Sequence, residues 1–97
     1  MIVSGSENIH PLEVEDVLAA HSHVDEVAVI GVPDERLGQR VVAVVVGTAT
    51  REELDAHCLG SSLARFKRPR EYRHRDTLPK SASGKILRRV LRDEECA

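Results

Sequence analysis

Two runs of β-branched residues constrain this chain most. Val27 to Val32 is closed by Pro33-Asp34, a turn signal, and Val41 to Val46 is bounded by Gly38 and Gly47. Both have strand length, because β-branched side chains are stiff at χ1 and pack well on a pleated surface. Helical signals flank them. Pro11 suits a first helical position, and Val14, Val17, Leu18 and His21 recur at helical spacing, which predicts a helix over about Pro11 to Ala20. Thr50, with Glu53 three residues later, forms a capping box and opens a second helix whose buried side is Leu54, Cys58 and Leu63. Gly60-Ser61-Ser62 weakens that helix towards its end. The chain breaks around Pro69, and Glu71 to Arg75 reads as an edge strand. Ile86, Leu87, Val90 and Leu91 share one helical face, which predicts a last helix from about Gly84 to Arg92. At the other end Met1 to Ser4 is short and apolar, and Gly5-Ser6-Glu7-Asn8 reads as a turn. The order helix-strand-strand-helix-strand-helix predicts an α+β fold: a small three-stranded sheet covered by helices, with an N-terminal β-hairpin or loop.

At 97 residues the chain reads as a single domain, 1–97, large enough to bury a core without staples. Cys58 and Cys96 have no metal-like spacing and suggest no disulfide; Cys58 is expected to pack on a helix and Cys96 to lie in a tail. There is no signal peptide and no apolar run near 18 residues, so a cytoplasmic protein without a membrane span is expected. The net charge of −2 hides an asymmetry. Residues 1–64 hold three basic and eleven acidic side chains, whereas residues 65–92 hold eleven basic and two acidic ones. Such a basic third either faces a polyanion or pairs with the chain's own acidic half.

Lys85 carries the sharpest chemical signal. It follows the small-residue turn Ser81-Ala82-Ser83-Gly84 at the expected start of the last helix. A helix start carries unpaired N–H groups and partial positive charge, so a lysine there is misplaced unless an anion shares the space. The segment therefore reads as a place for a phosphate or carboxylate, with Lys85 as its mobile charge. It is not a P-loop, because that motif needs Gly where Pro79 stands and Ser or Thr where Ile86 stands. His21 and His23 lack a third ligand at metal-binding spacing, and His10, His57 and His74 are isolated, so no metal site is expected. No nucleophile elbow is present. Nucleic-acid binding is the rival for Lys67-Arg68-Pro69-Arg70 and Arg73-His74-Arg75, but only Phe66 and Tyr72 are available to stack on bases.

Four segments together resemble one family. Ser4-Gly5-Ser6-Glu7-Asn8-Ile9-His10-Pro11-Leu12-Glu13-Val14-Glu15 is similar to the motif that opens the C-terminal domain of adenylate-forming enzymes, the acyl-CoA synthetase group. Gly31-Val32-Pro33-Asp34-Glu35-Arg36-Leu37-Gly38-Gln39 resembles its Gly-x-Pro-Asp-x-x-x-Gly-Glu hairpin, and Phe66-Lys67-Arg68-Pro69 its Tyr/Phe-Lys-x-Pro segment. Leu78 to Arg89 resembles the final Leu-Pro-x-x-x-x-Gly-Lys-Ile-x-Arg-Arg signature. The first motif is most similar to fatty-acyl and aryl-CoA ligases. Three departures stand out: Ser6 where many relatives have Gly, Gln39 for the usual Glu, and a polar Tyr72-Arg73-His74-Arg75 in place of an apolar strand.

The resemblance implies an enzyme that joins a carboxylic acid, ATP and CoA to give acyl-CoA, AMP and pyrophosphate through an acyl-adenylate. It implies Lys85 as the catalytic residue of adenylation, with Ser83 and Gly84 beside it as cofactor-binding residues. It implies the loop of Gly5, Ser6, Glu7 and Asn8 as the lining of the CoA pantetheine tunnel. ATP and CoA are then substrates, and Mg²⁺ is expected on a large N-terminal domain, the chief partner, which also holds the acyl pocket. By this resemblance the chain looks like the mobile lid of such an enzyme, whether as a piece of it or as a split gene product, and is expected to be inactive alone. A free-standing lid that regulates another synthetase is the third class. The acid itself is not legible here.

Overall fold

The computed structural model describes residues 1–96. Its elements are β1 (Ile2–Ser4), β2 (Glu7–Ile9), α1 (Pro11–Ala19), β3 (Val24–Asp34), β4 (Gly38–Gly47), α2 (Arg51–Leu59), a 3-10 turn at Arg65–Lys67, β5 (Glu71–His74) and α3 (Arg88–Cys96). β1 and β2 form a small antiparallel hairpin. The main sheet has the order β3-β4-β5, with β3–β4 antiparallel and β4–β5 parallel.

β4 is the central strand, and helices cover both faces, so Val41 to Val45 are buried without interruption. Side chains still alternate along each strand. Val27, Val29, Val41, Ala43 and Val45 meet Val14 and Leu18 of α1, Leu54 and Cys58 of α2, and Ile2 and Ile9 of the hairpin. Ala28, Ile30, Val32, Val42 and Val44 face the other way, onto Leu78 and onto Leu91 of α3. The register Val29↔Ala43 and Ile30↔Val42 keeps each set on its own side.

The strands run further than their apolar runs. β3 continues through Pro33, which an edge strand tolerates, and the turn follows at residues 35–37. There the Asp34 carboxylate accepts from the backbone N–H of Arg36 and Leu37, both at 2.9 Å, and these two bonds hold its carboxyl below the usual range. α2 begins with its capping box formed: Thr50 Oγ1 accepts from Glu53 N–H at 3.2 Å, and the Glu53 carboxylate accepts from Thr50 N–H at 2.8 Å. β5 lies at the sheet edge as expected and is half-buried despite its polarity. Arg73 pairs with Glu71 and Glu95, and the ring of His74 bonds the Ala49 carbonyl.

The last helix departs from expectation. It starts at Arg88, not near Gly84, and residues 80–87 form a tight hairpin closed by a Lys80↔Ile86 bridge. Gly84 has φ +87°, which no right-handed helix allows. Ile86 therefore reaches the core from outside the helix, only Leu91 of α3 is buried, and Leu87 and Val90 are exposed. Cys96 is an exposed residue of α3 rather than part of a tail.

The charge asymmetry is largely internal. Lys67 pairs with Glu13, Arg68 with Asp55, Arg75 with Glu94 and Glu95, Lys80 with Glu26 and Arg88 with Glu15, alongside the Arg73 pairs. Within the basic stretch 65–92, Arg65, Arg70, Lys85, Arg89 and Arg92 are left without a carboxylate partner among the described residues. No helix there is long and apolar enough to cross a membrane.

Candidate functional site

Lys85 sits in the hairpin that replaces the expected helix start. Its backbone N–H donates to Ser81 Oγ at 3.2 Å, and its carbonyl accepts from Ser81 N–H at 2.8 Å. Its side chain is exposed and, among the described residues, has no hydrogen-bond or ion-pair partner. Ser83 and Gly84 are the exposed residues before it. A Cβ added at Gly84 would meet nothing within 4 Å, so glycine is needed there for backbone conformation alone. The hairpin's base is firm: Lys80 pairs with Glu26 near the start of β3.

The other predicted loop lies elsewhere. Gly5 and Ser6 form the β1–β2 turn, while Glu7 and Asn8 are exposed residues of β2. Gly5 has φ +63°, and its N–H donates to the Leu37 carbonyl at 2.8 Å. Val3 N–H donates to Gln39 Oε1 at 2.9 Å, so a neutral amide serves as the acceptor at this departure from the usual Glu. Ser6 takes no positive φ, and the family's glycine is not required at that position. The two loops are not brought together. One is tethered at Glu26 and the other at Leu37, opposite ends of the β3–β4 hairpin, roughly 26 Å apart at about 3.3 Å per residue.

Two features had no clear sequence signal. Glu15 of α1 is 8% exposed, accepts from Val29 N–H on the free edge of β3 at 2.8 Å, and binds Arg88 Nε at 3.0 Å. Arg88 is thus an internal clasp, whereas Arg89 is exposed. The second is a cavity of about 260 Å³ lined by Arg51, Arg65, Phe66, Arg68, Arg70 and Tyr72, among others. Arg68 is held by Asp55 at 2.7 Å, yet its buried Nε has no partner among the described residues. Phe66 is half exposed. The run from Arg65 to Arg70 was visible in the sequence, but Arg51 joins it only through the fold.

Neither Cys58, which is buried, nor Tyr72, which is half-buried, is primed for attack. Burial pushes both the Cys58 thiol and the Tyr72 hydroxyl up, and the latter donates to Asp55 at 3.2 Å. Among the described residues no three His, Cys, Asp or Glu side chains converge to hold a metal ion. What remains is an unpaired, exposed ammonium and a separate cationic cavity. Both have the chemistry to meet phosphate groups.

Comparison with known proteins places the chain in a family. A family model described as the AMP-binding enzyme C-terminal domain matches residues 13–85. The chain is 61% identical over 95 residues to a 4-chlorobenzoate–CoA ligase of Pseudomonas sp. (strain CBS-3), which covers 94% of this chain and 18% of the ligase. It is 40% identical over 100 residues to a long-chain-fatty-acid–CoA ligase of Mycobacterium tuberculosis, covering 100% of this chain and 20% of that enzyme. A solved fatty acyl CoA synthetase of Mycobacterium tuberculosis superposes with a TM-score of 0.92 at 40% identity, over 97% of this chain and 19% of that one. An o-succinylbenzoate CoA synthetase of Bacillus subtilis, solved with its acyl-adenylate intermediate, superposes with a TM-score of 0.87 at 40% identity, over 95% of this chain and 19% of the other. The chain spans about a fifth of the length of the relatives it matches.

Proposed function

The chain belongs to the AMP-binding enzyme C-terminal domain family, and from that premise we propose that it is the mobile lid of an AMP-forming acyl- or aryl-CoA ligase. A larger N-terminal domain then holds the acid, ATP and its magnesium. The lid serves two half-reactions in turn. In the first, the acid's carboxylate attacks the α-phosphorus of ATP, and pyrophosphate leaves. Lys85 reaches over that centre, where its ammonium meets the negative charge growing on the phosphoryl oxygens. It stabilises the transition state more than the ground state. One such donor contributes about 3–4 kcal/mol, roughly 10²–10³-fold in rate.

In the second half-reaction the CoA sulfur attacks the acyl carbon, and AMP leaves. Here the Gly5-Ser6-Glu7-Asn8 loop lines the pantetheine path, its small residues permitting close approach of backbone to ligand. The observation that carries this reading is the placement of the two loops at opposite ends of the β3–β4 hairpin. Loops so far apart serve one active site in alternation when the lid turns between steps.

The arginine cavity supports a place for the phosphates of CoA. Arg65 and Arg70 supply charge without an internal partner, and half-exposed Phe66 offers a face for the adenine ring.

Substitution at Gly5 in the full-length ligase tests the alternation. Gly5→Val is expected to slow thioester formation from supplied acyl-adenylate at least tenfold while adenylation keeps its rate. Slowed adenylation with normal thioester formation would reverse the assignment of the two loops.

A further inference from the structure

One residue closes the loop that presents Lys85. Ser81 N–H donates to the Lys85 carbonyl at 2.8 Å, and Ser81 Oγ accepts from Lys85 N–H at 3.2 Å, so both main-chain polar groups of Lys85 are held by Ser81. The Ser81 carbonyl also accepts from Gly84 N–H at 2.9 Å, and its hydroxyl shares a hydrogen bond with Ser83 Oγ at 2.9 Å. Below the loop the chain is anchored. Lys80 is paired with Glu26, Leu87 N–H donates to the Pro79 carbonyl at 2.9 Å, and Ile86 packs against the core. Above it nothing packs: Ala82, Ser83, Gly84 and Lys85 are all exposed. With an anchored base and an unpacked tip, the origin of the long lysine arm is set by hydrogen bonds.

We propose that the Ser81 hydroxyl is a positioning group for Lys85, fixing the main chain from which its ammonium reaches the reacting phosphate. This rests on the reading of Lys85 as the adenylation lysine. Ser81 touches no reactant and acts only through Lys85. Its backbone bonds survive substitution of the side chain, so losing the hydroxyl loosens the tip without dissolving the turn. A misplacement of about 1 Å at a charged group costs as much as a hundredfold in rate.

The test uses the full-length ligase with Ser81→Val, Ser81→Thr, Ser81→Ala and Lys85→Ala. Adenylation, thioester formation from supplied acyl-adenylate, and the thermal midpoint are each measured. Valine and threonine share a shape, and only threonine keeps the hydroxyl. Ser81→Val and Ser81→Ala are expected to slow adenylation about ten- to a hundredfold through kcat. Thioester formation and the midpoint should stay in place, and Ser81→Thr should recover most of the lost rate. Equal rates for Val and Thr, or a parallel fall of both half-reactions in Val and Ala alike, would overturn the assignment. Were Lys85→Ala to leave adenylation intact, the reading of Lys85 would fall first. A selective loss in Lys85→Ala beside normal Ser81 variants would remove Ser81 alone.

Discussion

Arg65 and Arg70, like Arg51 on the same cavity, have no carboxylate to answer, whereas the other arginines of residues 65–75 do. Arg68 is spoken for by Asp55, Arg73 by Glu71 and Glu95, and Arg75 by Glu94 and Glu95. A guanidinium already paired contributes little to a ligand, whereas an unpaired one at the wall of a cavity offers a charge-assisted bond of about 1.5–3 kcal/mol. In the full-length enzyme, Arg70→Ala is therefore expected to raise KM for CoA about tenfold and leave KM for ATP unchanged. Dephospho-CoA then locates the contact: a raised KM for CoA alone marks the 3′-phosphate, and a raised KM for both marks the pyrophosphate. No change with either would remove the cavity from the CoA path. The sequence displayed this basic run, but which members are free was decided by acidic residues far along the chain, such as Glu13 and Asp55. Spacing cannot reveal pairings at such distances.

The Glu15–Arg88 pair works at the scale of elements. α1 lies on one face of the sheet and α3 on the other, and the pair joins them around the free edge of β3 while Glu15 occupies the Val29 N–H. That occupies one of the unpaired backbone groups by which an edge strand recruits another chain. Arg88→Met leaves a nearly buried carboxylate with one remaining donor, which costs about 2–3 kcal/mol once the partial exposure of Arg88 is discounted. Chemical denaturation of the chain should show that loss, and Glu15→Gln combined with Arg88→Met should recover a large part of it. Single and double variants of equal stability would mean the pair is incidental. The elements were themselves legible wherever local chemistry decides: the Thr50–Glu53 box, the Pro11 start, and the two valine runs. The last helix was not, because Ile86 and Leu87 mimic a helical face while Gly84, at positive φ, and the Ser81 bonds hold them in a hairpin. Lys85 is consequently an exposed turn residue. Its link to anionic chemistry rests on its freedom and on the family, no longer on a helix dipole.

For the whole molecule, acid is the natural probe of the charge network. Hydrogen bonding from Arg73 holds the Glu71 carboxyl below its ordinary 4.5, and backbone bonds do the same for Glu53 and for Asp34, whose ordinary value is 3.8. Groups with depressed values in the folded state contribute stability that is complete above their unfolded values and is lost as pH falls through the folded ones. The thermal midpoint should hold level from about pH 8 to about pH 5 and drop below about pH 4.5. A midpoint that falls already between about pH 7 and about pH 6 would point to histidine instead.

The lid reading turns on Lys85, whose ammonium is exposed and unpaired among the described residues. In the full-length ligase, Lys85→Ala followed by separate measurement of the two half-reactions is the most direct test. Pyrophosphate release should slow roughly 10²–10³-fold, with thioester formation from supplied acyl-adenylate unchanged. An equal fall in both steps, or none in the first, would contradict the account.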